Sequence, residues 1–486
     1  MAVVFIKERS FYSARTLAKK LKVDESTARL CIEVLTTRGV LKLKTSNELS
    51  EYDSEYSKDV EGAYQFVYVG LVMFKSIAIV VYPKYFIEGS INIERMRKVF
   101  AAIRRYSKSH SHIAALSEEG KRANDRLTLM LALLDHYSEH GLYENQLRIL
   151  KTNGNGQISW ERTIALHQPY LNAKGPVYYE YETIENAEDV SSYITRLHRC
   201  VLTQCSRFMK SSGLSEMLSI VDLELSNEEL EIFGDKQFIN YQLEKERRQQ
   251  FVTWKQEVID LLYGYVNEEE TVIESDECIC LGSSSFHVIW EKACKVAFGD
   301  QLEVPLRNLG LRLDEKWSNR GSMTLKEIIP RPKWSSCVTG IEKPSGKVST
   351  LIPDIVFIDS SYNKKPFFCI YDAKYYVPTF GREPFGIPGV ESITKQFLYQ
   401  NAYEEFVRDN KIELVLNVFL VPGDTANSEL IGRVRFPGVL SDFEHPLSDY
   451  IDLWKLPADT VYDAYLAGER LPQRLGGYLL IDANRL

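Results

Sequence analysis

Apolar side chains recur at helical spacing within the first 44 residues of this chain. They form one group at Leu17, Leu21 and Val23 and a second group at Leu30, Val34 and Leu35. Asp24 suits the N-cap of the second helix, and Gly39 suits its end. The pattern therefore predicts a helix, a turn, a second helix with its apolar residues inward, and a strand.

This order of elements resembles a winged-helix module at residues 1–50. In such a module the second helix enters the major groove of DNA. The resemblance implies that Ser26, Thr27 and Arg29 are DNA-binding residues. A pair of helices that packs only on its own protein or on a partner has the same pattern, and the sequence leaves both interpretations open.

Residues 60–150 are predicted to begin with strands and to continue with helices. Residues 66–82 are apolar, β-branched and aromatic, which predicts two buried strands. Lys75 interrupts the run and Pro83 ends it, so a membrane helix is not expected. Residues 125–137 have a strongly helical pattern.

A domain boundary is predicted near residue 150, because the sequence Asn-Gly-Asn-Gly at 153–156 has turn chemistry. Residues 151–279 then read as a mostly helical connecting domain. The charged run at 244–248 is interpreted as a solvated helix face. From about residue 280 the pattern changes to one helix, short strands, another helix and further strands. The chain is therefore predicted to be multidomain and of mixed α+β and α/β class, with an α/β domain at 280–486.

Composition and charge narrow the class of protein. A chain of 486 residues with 44% hydrophobic content can form roughly two to four domains. The net charge of −8 is not that of a dedicated nucleic-acid binder, although residues 1–44 hold ten Lys or Arg against four acids. The eight cysteines form neither a disulfide framework nor zinc spacing, and the N-terminus does not resemble a secretory signal. These features predict a soluble, cytoplasmic protein.

Two carboxylates and a lysine fall on two adjacent predicted strands. Residues 351–359 and 367–376 are expected to form a hairpin, with Asp354 on the first strand and Asp372 and Lys374 on the second. Because side chains alternate along a strand, Asp372 and Lys374 point to the same side, about 6–7 Å apart. Hard oxygen ligands without His or Cys favour Mg²⁺, and Mn²⁺ is also possible.

The order Pro353-Asp354, then Asp372-Ala373-Lys374, resembles the PD-(D/E)xK nuclease signature. In such a site the metal on Asp354 and Asp372 supplies a Lewis acid, and Lys374 orients or deprotonates the attacking water and offsets charge. A surface strand with a salt bridge is the alternative reading of Asp-x-Lys. The apolar strands around both motifs favour the nuclease.

The wider sequence resembles the LlaJI family of restriction endonucleases, relatives of the McrC subunit of modification-dependent systems. The segments that carry this resemblance are residues 68–84, 153–163, 282–291 and 395–403, together with the Asp354, Asp372 and Lys374 motif. The resemblance implies a restriction-endonuclease-like core at 280–486 and double-stranded DNA as substrate. It also implies a separate AAA+ GTPase or ATPase partner of the McrB kind.

The same resemblance implies two further site residues. Glu291 would be the helix-borne acid that completes the metal site, although it lies just outside the apolar arc of residues 286–297 and could be a solvated helix acid. Gln396 resembles the glutamine that follows the core lysine and faces the phosphate. A helix-surface amide explains Gln396 equally well.

The sequence thus predicts a Mg²⁺-dependent DNA endonuclease that serves as the nuclease subunit of a restriction system in antiviral defence, without a membrane span. One alternative is a PD-(D/E)xK nuclease of repair or recombination, which needs no motor partner. The other is a DNA-binding winged-helix regulator whose core does not cleave.

Overall fold

Helices and strands alternate along the chain, giving a mixed α/β protein. The computed structural model describes residues 2–44, 63–75, 77–114, 126–144, 146–173, 175–188, 192–267, 278–335, 337, 342–344, 350–359, 366–412, 414–437 and 450–471. The chain divides into two compact units. The larger unit combines residues 2–110 with residues 278–486, and the smaller unit holds residues 111–277. The domain boundaries predicted from the sequence, near residues 50, 150 and 280, stay predictions.

The larger unit begins with a small sheet and two helices. The elements are β1 Ala2–Lys7, β2 Phe11–Tyr12, α1 Ala14–Leu21, α2 Glu25–Thr37, β3 Leu41–Lys44 and β4 Ala63–Phe66. Strands β2, β4 and β3 form an antiparallel sheet in that order. Ser13 caps α1 through a capping box, and Asp24 caps α2. The prediction of two helices and a strand here is confirmed.

One inward position in α2 was predicted wrongly. The buried arc of α2 runs through Ala28, Cys31, Ile32 and Leu35, whereas Leu30 is 41% exposed. Leu30 lies on the other side of the helix because successive residues are about 100° apart. A single apolar residue in a helical run is therefore not sufficient to define the inner face.

The apolar run after β4 forms two strands, followed by a long helix. The elements are β5 Val69–Phe74, β6 Ile77–Tyr82 and α3 Ile93–Ala114. Every residue of β5 and β6 is buried, which confirms the prediction of two buried strands. Strand β1 pairs parallel to β6, and β6 pairs antiparallel to β5. No helix within the described residues has the length and apolar character needed to cross a membrane.

The smaller unit contains both strands and helices. Its elements are α4 Arg126–His140, β7 Gln146–Thr152, β8 Gln157–Ile158, α5 Trp160–Leu166, β9 Tyr170–Asn172, β10 Gly175–Val177, β11 Glu182–Glu188, α6 Tyr193–Ser211, α7 Leu214–Leu218, α8 Lys236–Gln249 and α9 Thr253–Asn267. The predicted turn lies between β7 and β8, where Asn153 has a φ of 55°. Residues 146–188 form mainly strands together with the short helix α5, and residues 193–267 have the predicted mostly helical character.

The C-terminal part of the larger unit adds one strand to the sheet that contains β1, β6 and β5 and then forms a second sheet. Its elements are β12 Cys278–Ser283, α10 Phe286–Phe298, α11 Glu315–Ser318, α12 Leu325–Ile328, β13 Lys333–Ser335, β14 Glu342–Pro344, β15 Ile355–Asp359, β16 Phe367–Ala373, β17 Thr379–Phe380, β18 Pro384–Phe385, α13 Val390–Ala402, α14 Glu404–Asp409, β19 Leu414–Gly423, β20 Glu429–Val434, β21 Ile451–Pro457 and α15 Ala458–Ala467. Strand β12 pairs with β5, which completes the order β1-β6-β5-β12.

The second sheet has five strands in the order β15-β16-β19-β21-β20. Strands β16, β19 and β21 are parallel, and the two edge strands are antiparallel to their neighbours. Helix α10 packs on one face, where Phe298 meets Tyr371 at 5.3 Å between ring centroids. Helix α13 packs on the other face, where Phe397 joins Phe419, the residue in register with Asp372. The two helices therefore cover opposite faces of the strand that carries Asp372.

Candidate active site

Asp354, Asp372 and Lys374 come together at one end of β15 and β16. Asp354 directly precedes β15, and the register pairs Ile355 with Tyr371, so Asp354 lies opposite Asp372. The Lys374 Nζ atom is 2.8 Å from Asp372 Oδ2. The backbone N–H of Ala373 donates to Asp354 Oδ2 at 3.0 Å. The two strands thus hold two carboxyl groups and one ammonium group close together.

Burial and proximity change the charge balance of this group. Burial, followed by the charge of Asp372 and a hydrogen bond with it, raises the pKa of Asp354 to about 7. Burial lowers the pKa of Lys374, but its contacts with Asp372 and Asp354 outweigh burial and raise that pKa overall. Near neutral pH the site therefore holds a charged lysine beside Asp354, whose carboxyl group is then close to its pKa.

Such a pair of carboxyl groups is chemically suited to a divalent cation. In the absence of a cation, a proton on Asp354 relieves the repulsion between Asp354 and Asp372. A cation can take the place of that proton, and an all-oxygen donor set suits Mg²⁺ or Mn²⁺. Across the described residues, no three His, Cys, Asp or Glu side chains are close enough together to hold a metal ion. The donor set assembled by the protein alone is therefore the two aspartates.

Glu291 lies on α10 and is engaged with its own helix. Its Oε1 atom is 2.7 Å from Lys295 Nζ, one turn later, and both side chains are about one-third exposed. Burial lowers the pKa of Lys295, but Glu291 and then Asp354 outweigh burial and raise it. Burial, Asp354 and Glu291 together raise the pKa of the Cys294 thiol. Glu291 is therefore close to the aspartates, but the structure does not group it with them.

Gln396 on α13 is completely buried. Its Nε2 atom donates to the carbonyl oxygens of Ile370 at 3.2 Å and Val418 at 3.4 Å. The alternative of a helix-surface amide is wrong, because Gln396 faces the sheet. Among the residues that the structure describes, none donates a hydrogen bond to its Oε1 atom. The role of Gln396 toward a phosphate stays a prediction.

Ser26 and Thr27 take part in capping α2. Both side-chain hydroxyls donate to the carboxylate of Asp24, and the Thr27 backbone N–H donates to Asp24 Oδ2 at 2.9 Å. These hydrogen bonds, from Ser26 first and then Thr27, hold the pKa of Asp24 well below its usual range. Arg29 is 72% exposed and forms an ion pair with Glu25 at 2.8 Å. The N-terminal turn of α2 thus presents an ordered polar surface with one exposed guanidinium.

Two residues next to this site were given no role in the sequence-based prediction. Tyr399 on α13 lies near both aspartates, and burial followed by those carboxylates raises the pKa of Tyr399 to about 12. Tyr375 follows Lys374 and donates its hydroxyl to Glu8 Oε2 at 2.5 Å. No local pattern links Glu8 with Tyr375, because the two are 367 positions apart.

Comparison with known proteins gives one family and several relatives. The model of the LlaJI restriction endonuclease family matches residues 68–442. The type II restriction enzyme BsuMI component YdjA of Bacillus subtilis strain 168 is 26% identical over 419 residues, which cover 84% of this chain and 82% of that protein.

Two solved structures also align with the chain. One is the refined half-complex from a tetradecameric assembly of Thermococcus gammatolerans McrB AAA+ hexamers with bound McrC, with a TM-score of 0.37, 13% identity, and coverage of 96% of this chain and 99% of that chain. The other is the McrBC complex of the same organism, with a TM-score of 0.24, 12% identity, and coverage of 55% and 79%. The family model matches more than half of the 486 residues of this chain, so this chain belongs to the LlaJI restriction endonuclease family.

Proposed function

We propose that this chain is a Mg²⁺-dependent DNA endonuclease of the PD-(D/E)xK type, with its reaction centre at Asp354, Asp372 and Lys374. The observation that carries the proposal is the proximity of these three residues at the end of two paired strands, where Lys374 Nζ contacts Asp372 Oδ2 and Asp354 Oδ2 accepts the Ala373 backbone N–H. Membership of a restriction endonuclease family supports DNA cleavage as the reaction. Mn²⁺ is the expected substitute for Mg²⁺.

Asp354 and Asp372 are the residues that would hold the metal, and Glu291 would join them if its pair with Lys295 opened. A bound metal would act as a Lewis acid and would lower the pKa of a coordinated water. Lys374 is the cationic group of the protein nearest to the reacting phosphate in this proposal. Its ammonium, held by Asp372, would orient the attacking water and offset the negative charge that grows on the phosphate oxygens.

The N-terminal elements would supply a DNA-binding surface. The sheet order β2-β4-β3 with α1 and α2 packed against it supports the winged-helix interpretation. In that arrangement α2 would be the recognition helix, and its exposed Arg29 would reach DNA. Ser26 and Thr27 would contribute mainly by ordering the first turn of α2.

We further propose that the nuclease acts with a separate AAA+ NTPase subunit. Two observations support a multi-subunit system. The sequence of this chain resembles McrC, and YdjA, a relative of this chain, is described as one component of a restriction enzyme. Size-exclusion chromatography of the chain mixed with the AAA+ protein encoded beside it, with and without nucleotide, tests this association. Two separate peaks under every nucleotide condition would contradict it.

The nuclease itself is tested by incubating plasmid DNA and Mg²⁺ with the purified chain, with and without the AAA+ subunit. Asp372→Ala and Lys374→Ala should each lose cleavage by at least about 100-fold, because they remove a metal ligand and the active-site cation. Lys326→Ala is the matched control, since Lys326 also forms an ion pair, with Glu303 at 2.5 Å, in the same unit.

Each outcome separates the candidate functions. Cleavage that both site variants lose and Lys326→Ala keeps supports the restriction nuclease. Preference for branched or damaged DNA would favour a repair nuclease. Metal-independent, site-specific DNA binding without cleavage under any partner, nucleotide or methylation state would favour a regulator.

A further inference from the structure

A buried polar cluster adjoins the proposed active site from the N-terminal part of the larger unit. It consists of Glu8, directly after β1, Lys84, two residues after β6, and Tyr375, directly after Lys374. Glu8 and Tyr375 are 8% exposed each. Because a buried carboxylate is costly unless it is hydrogen-bonded and paired with charge, this arrangement requires an explanation.

The contacts within the cluster satisfy the Glu8 carboxylate and fix the Tyr375 ring. Glu8 Oε2 accepts the Tyr375 hydroxyl at 2.5 Å and the Lys84 backbone N–H at 3.1 Å. The Lys84 ammonium lies over the Tyr375 ring, 4.5 Å from its centroid. Phe286 and Tyr85 approach the same ring edge-on, at 5.3 and 6.2 Å between centroids. The Tyr375 side chain therefore contacts four residues that are distant from it in sequence.

The position of Tyr375 matters because the chain leaves the sheet at this point. The last pair in the β16–β19 ladder is Ala373 with Leu420, and Lys374 makes one more backbone hydrogen bond, to Leu420 O at 2.8 Å. After that bond, the next residue whose position is fixed by tertiary contacts is Tyr375. Lys374 thus lies between the last backbone hydrogen bond to β19 and a tyrosine side chain that Glu8 and Lys84 contact.

We propose that Glu8 and Lys84 are positioning residues for Lys374, acting through Tyr375. This inference rests on the proposed nuclease function, in which Lys374 must hold its ammonium at the reacting phosphate. It gives a role to Lys84, which belongs to one of the segments that resemble the LlaJI family and had no predicted function. It also connects β1 and β6 of the first sheet with the reaction centre on the second sheet.

The direct test measures how firmly Lys374 is held, without relying on activity. The full-length chain is labelled briefly with an N-hydroxysuccinimide acetyl ester, and the acetylation rates of Lys374 and Lys395 are compared by mass spectrometry. Lys395 is 48% exposed and serves as the internal reference. Tyr375→Phe and Glu8→Ala should raise the Lys374 rate about three-fold or more relative to Lys395. Glu8→Gln should restore most of the protection, because an amide oxygen can still accept the Tyr375 hydroxyl.

Tyr403→Phe is the matched control. Tyr403 is also buried in the larger unit, and its hydroxyl donates to the Leu325 carbonyl oxygen at 3.0 Å. A general loss of stability would affect Tyr403→Phe and Tyr375→Phe alike, whereas a positioning role predicts faster Lys374 labelling in Tyr375→Phe alone. Equal labelling of Lys374 in wild type and Tyr375→Phe would overturn the inference.

Cleavage kinetics provide the second readout and separate the two proposals. Tyr375→Phe should lower kcat about ten-fold and leave KM for DNA unchanged, because DNA binding does not depend on this hydroxyl. Cleavage by the wild type with an unchanged kcat in Tyr375→Phe would refute the positioning role and leave the nuclease intact. Absence of wild-type cleavage would refute the nuclease, while the labelling experiment would still decide whether Glu8 and Tyr375 hold Lys374.

Discussion

At the scale of single residues, Asp354 makes the metal-free protein sensitive to pH. Burial and the neighbouring Asp372 raise the pKa of Asp354 to about 7, from an ordinary value of 3.8. Between these two values the folded protein keeps a proton that the unfolded chain has released. The free energy of unfolding should therefore fall as the pH rises from about 4 to about 7.

Asp354→Asn should remove this fall in the free energy of unfolding, because the asparagine amide does not ionise in this pH range. In the presence of a chelator, the variant should melt several degrees above wild type at pH 8 and close to wild type at pH 4. Thermal melts across this pH range test the prediction, and Asp463→Asn, at an exposed ion pair with Lys98, is the control. The prediction fails if wild type and Asp354→Asn differ equally at both pH values. Added Mn²⁺ should raise the Tm of wild type and of Asp463→Asn, and should leave that of Asp354→Asn unchanged.

The proximity of Asp354, Asp372 and Lys374 could be predicted from the sequence because their geometry is local. Strand alternation places Asp372 and Lys374 on one side, and a short hairpin returns Asp354 to the same end. Tyr375 and Glu8 could not be found this way, since their contact depends on how two sheets pack. Gln396 was ambiguous for a similar reason, because only tertiary packing decides whether a helical amide faces a sheet or solvent.

At the scale of elements, α2 carries the predicted contact with DNA. Arg29→Ala should weaken binding to duplex DNA and lower the slope of log affinity against log salt by about one, because one phosphate contact is lost. Fluorescence anisotropy at several salt concentrations measures both quantities. Arg248→Ala is the matched control, since Arg248 is 81% exposed and also pairs with a glutamate four residues earlier in its helix. Equal salt slopes for Arg29→Ala and wild type would argue for the non-DNA interpretation of this helical pair.

Strands β5 and β12 depend on two glycines that face each other. Gly70 is in register with Gly282, and a Cβ atom on Gly282 would lie 2.7 Å from Gly70 Cα and 2.6 Å from Tyr68 Cζ. Gly282→Ala should destabilise the protein by about 1–3 kcal/mol through overpacking. Denaturant unfolding measures this change. Gly381→Ala is the control, because its Cβ would meet no atom within 4 Å, and a loss of equal size there would contradict the explanation.

Elements whose own sequence has a clear apolar pattern were predicted correctly. Elements whose sequence lacks such a pattern were missed. The buried strands β5 and β6 are continuous apolar runs, so their type was clear from composition. Strand β11, with the sequence ETIENAE, has three glutamates, and Ile184 is its one apolar side chain apart from alanine's methyl group. Its pairing with β7 rather than its own composition makes it a strand.

At the scale of the whole molecule, the predicted nuclease domain at 280–486 is joined to the N-terminal residues. Strand β12 pairs with β5, and Arg95 on α3 forms ion pairs with Asp424 at 2.7 Å and Asp459 at 3.0 Å. Glu8 adds its hydrogen bond to Tyr375. Sequence patterns indicate where elements begin, but they do not show that residues 2–110 and 278–486 share one core.

A fragment of residues 278–486 should consequently fail to fold alone. It would expose the β12 edge and leave Tyr375 and Asp459 without the partners that residues 2–110 provide. Circular dichroism and size-exclusion chromatography should show aggregation or a non-cooperative melt, and co-expression with residues 1–110 should restore a soluble complex with a cooperative transition. Co-expression with residues 111–277 is the control and should give no rescue. A monomeric 278–486 fragment that melts cooperatively near the Tm of the full chain would show that the N-terminal segment is an accessory to the nuclease fold instead of a part of it.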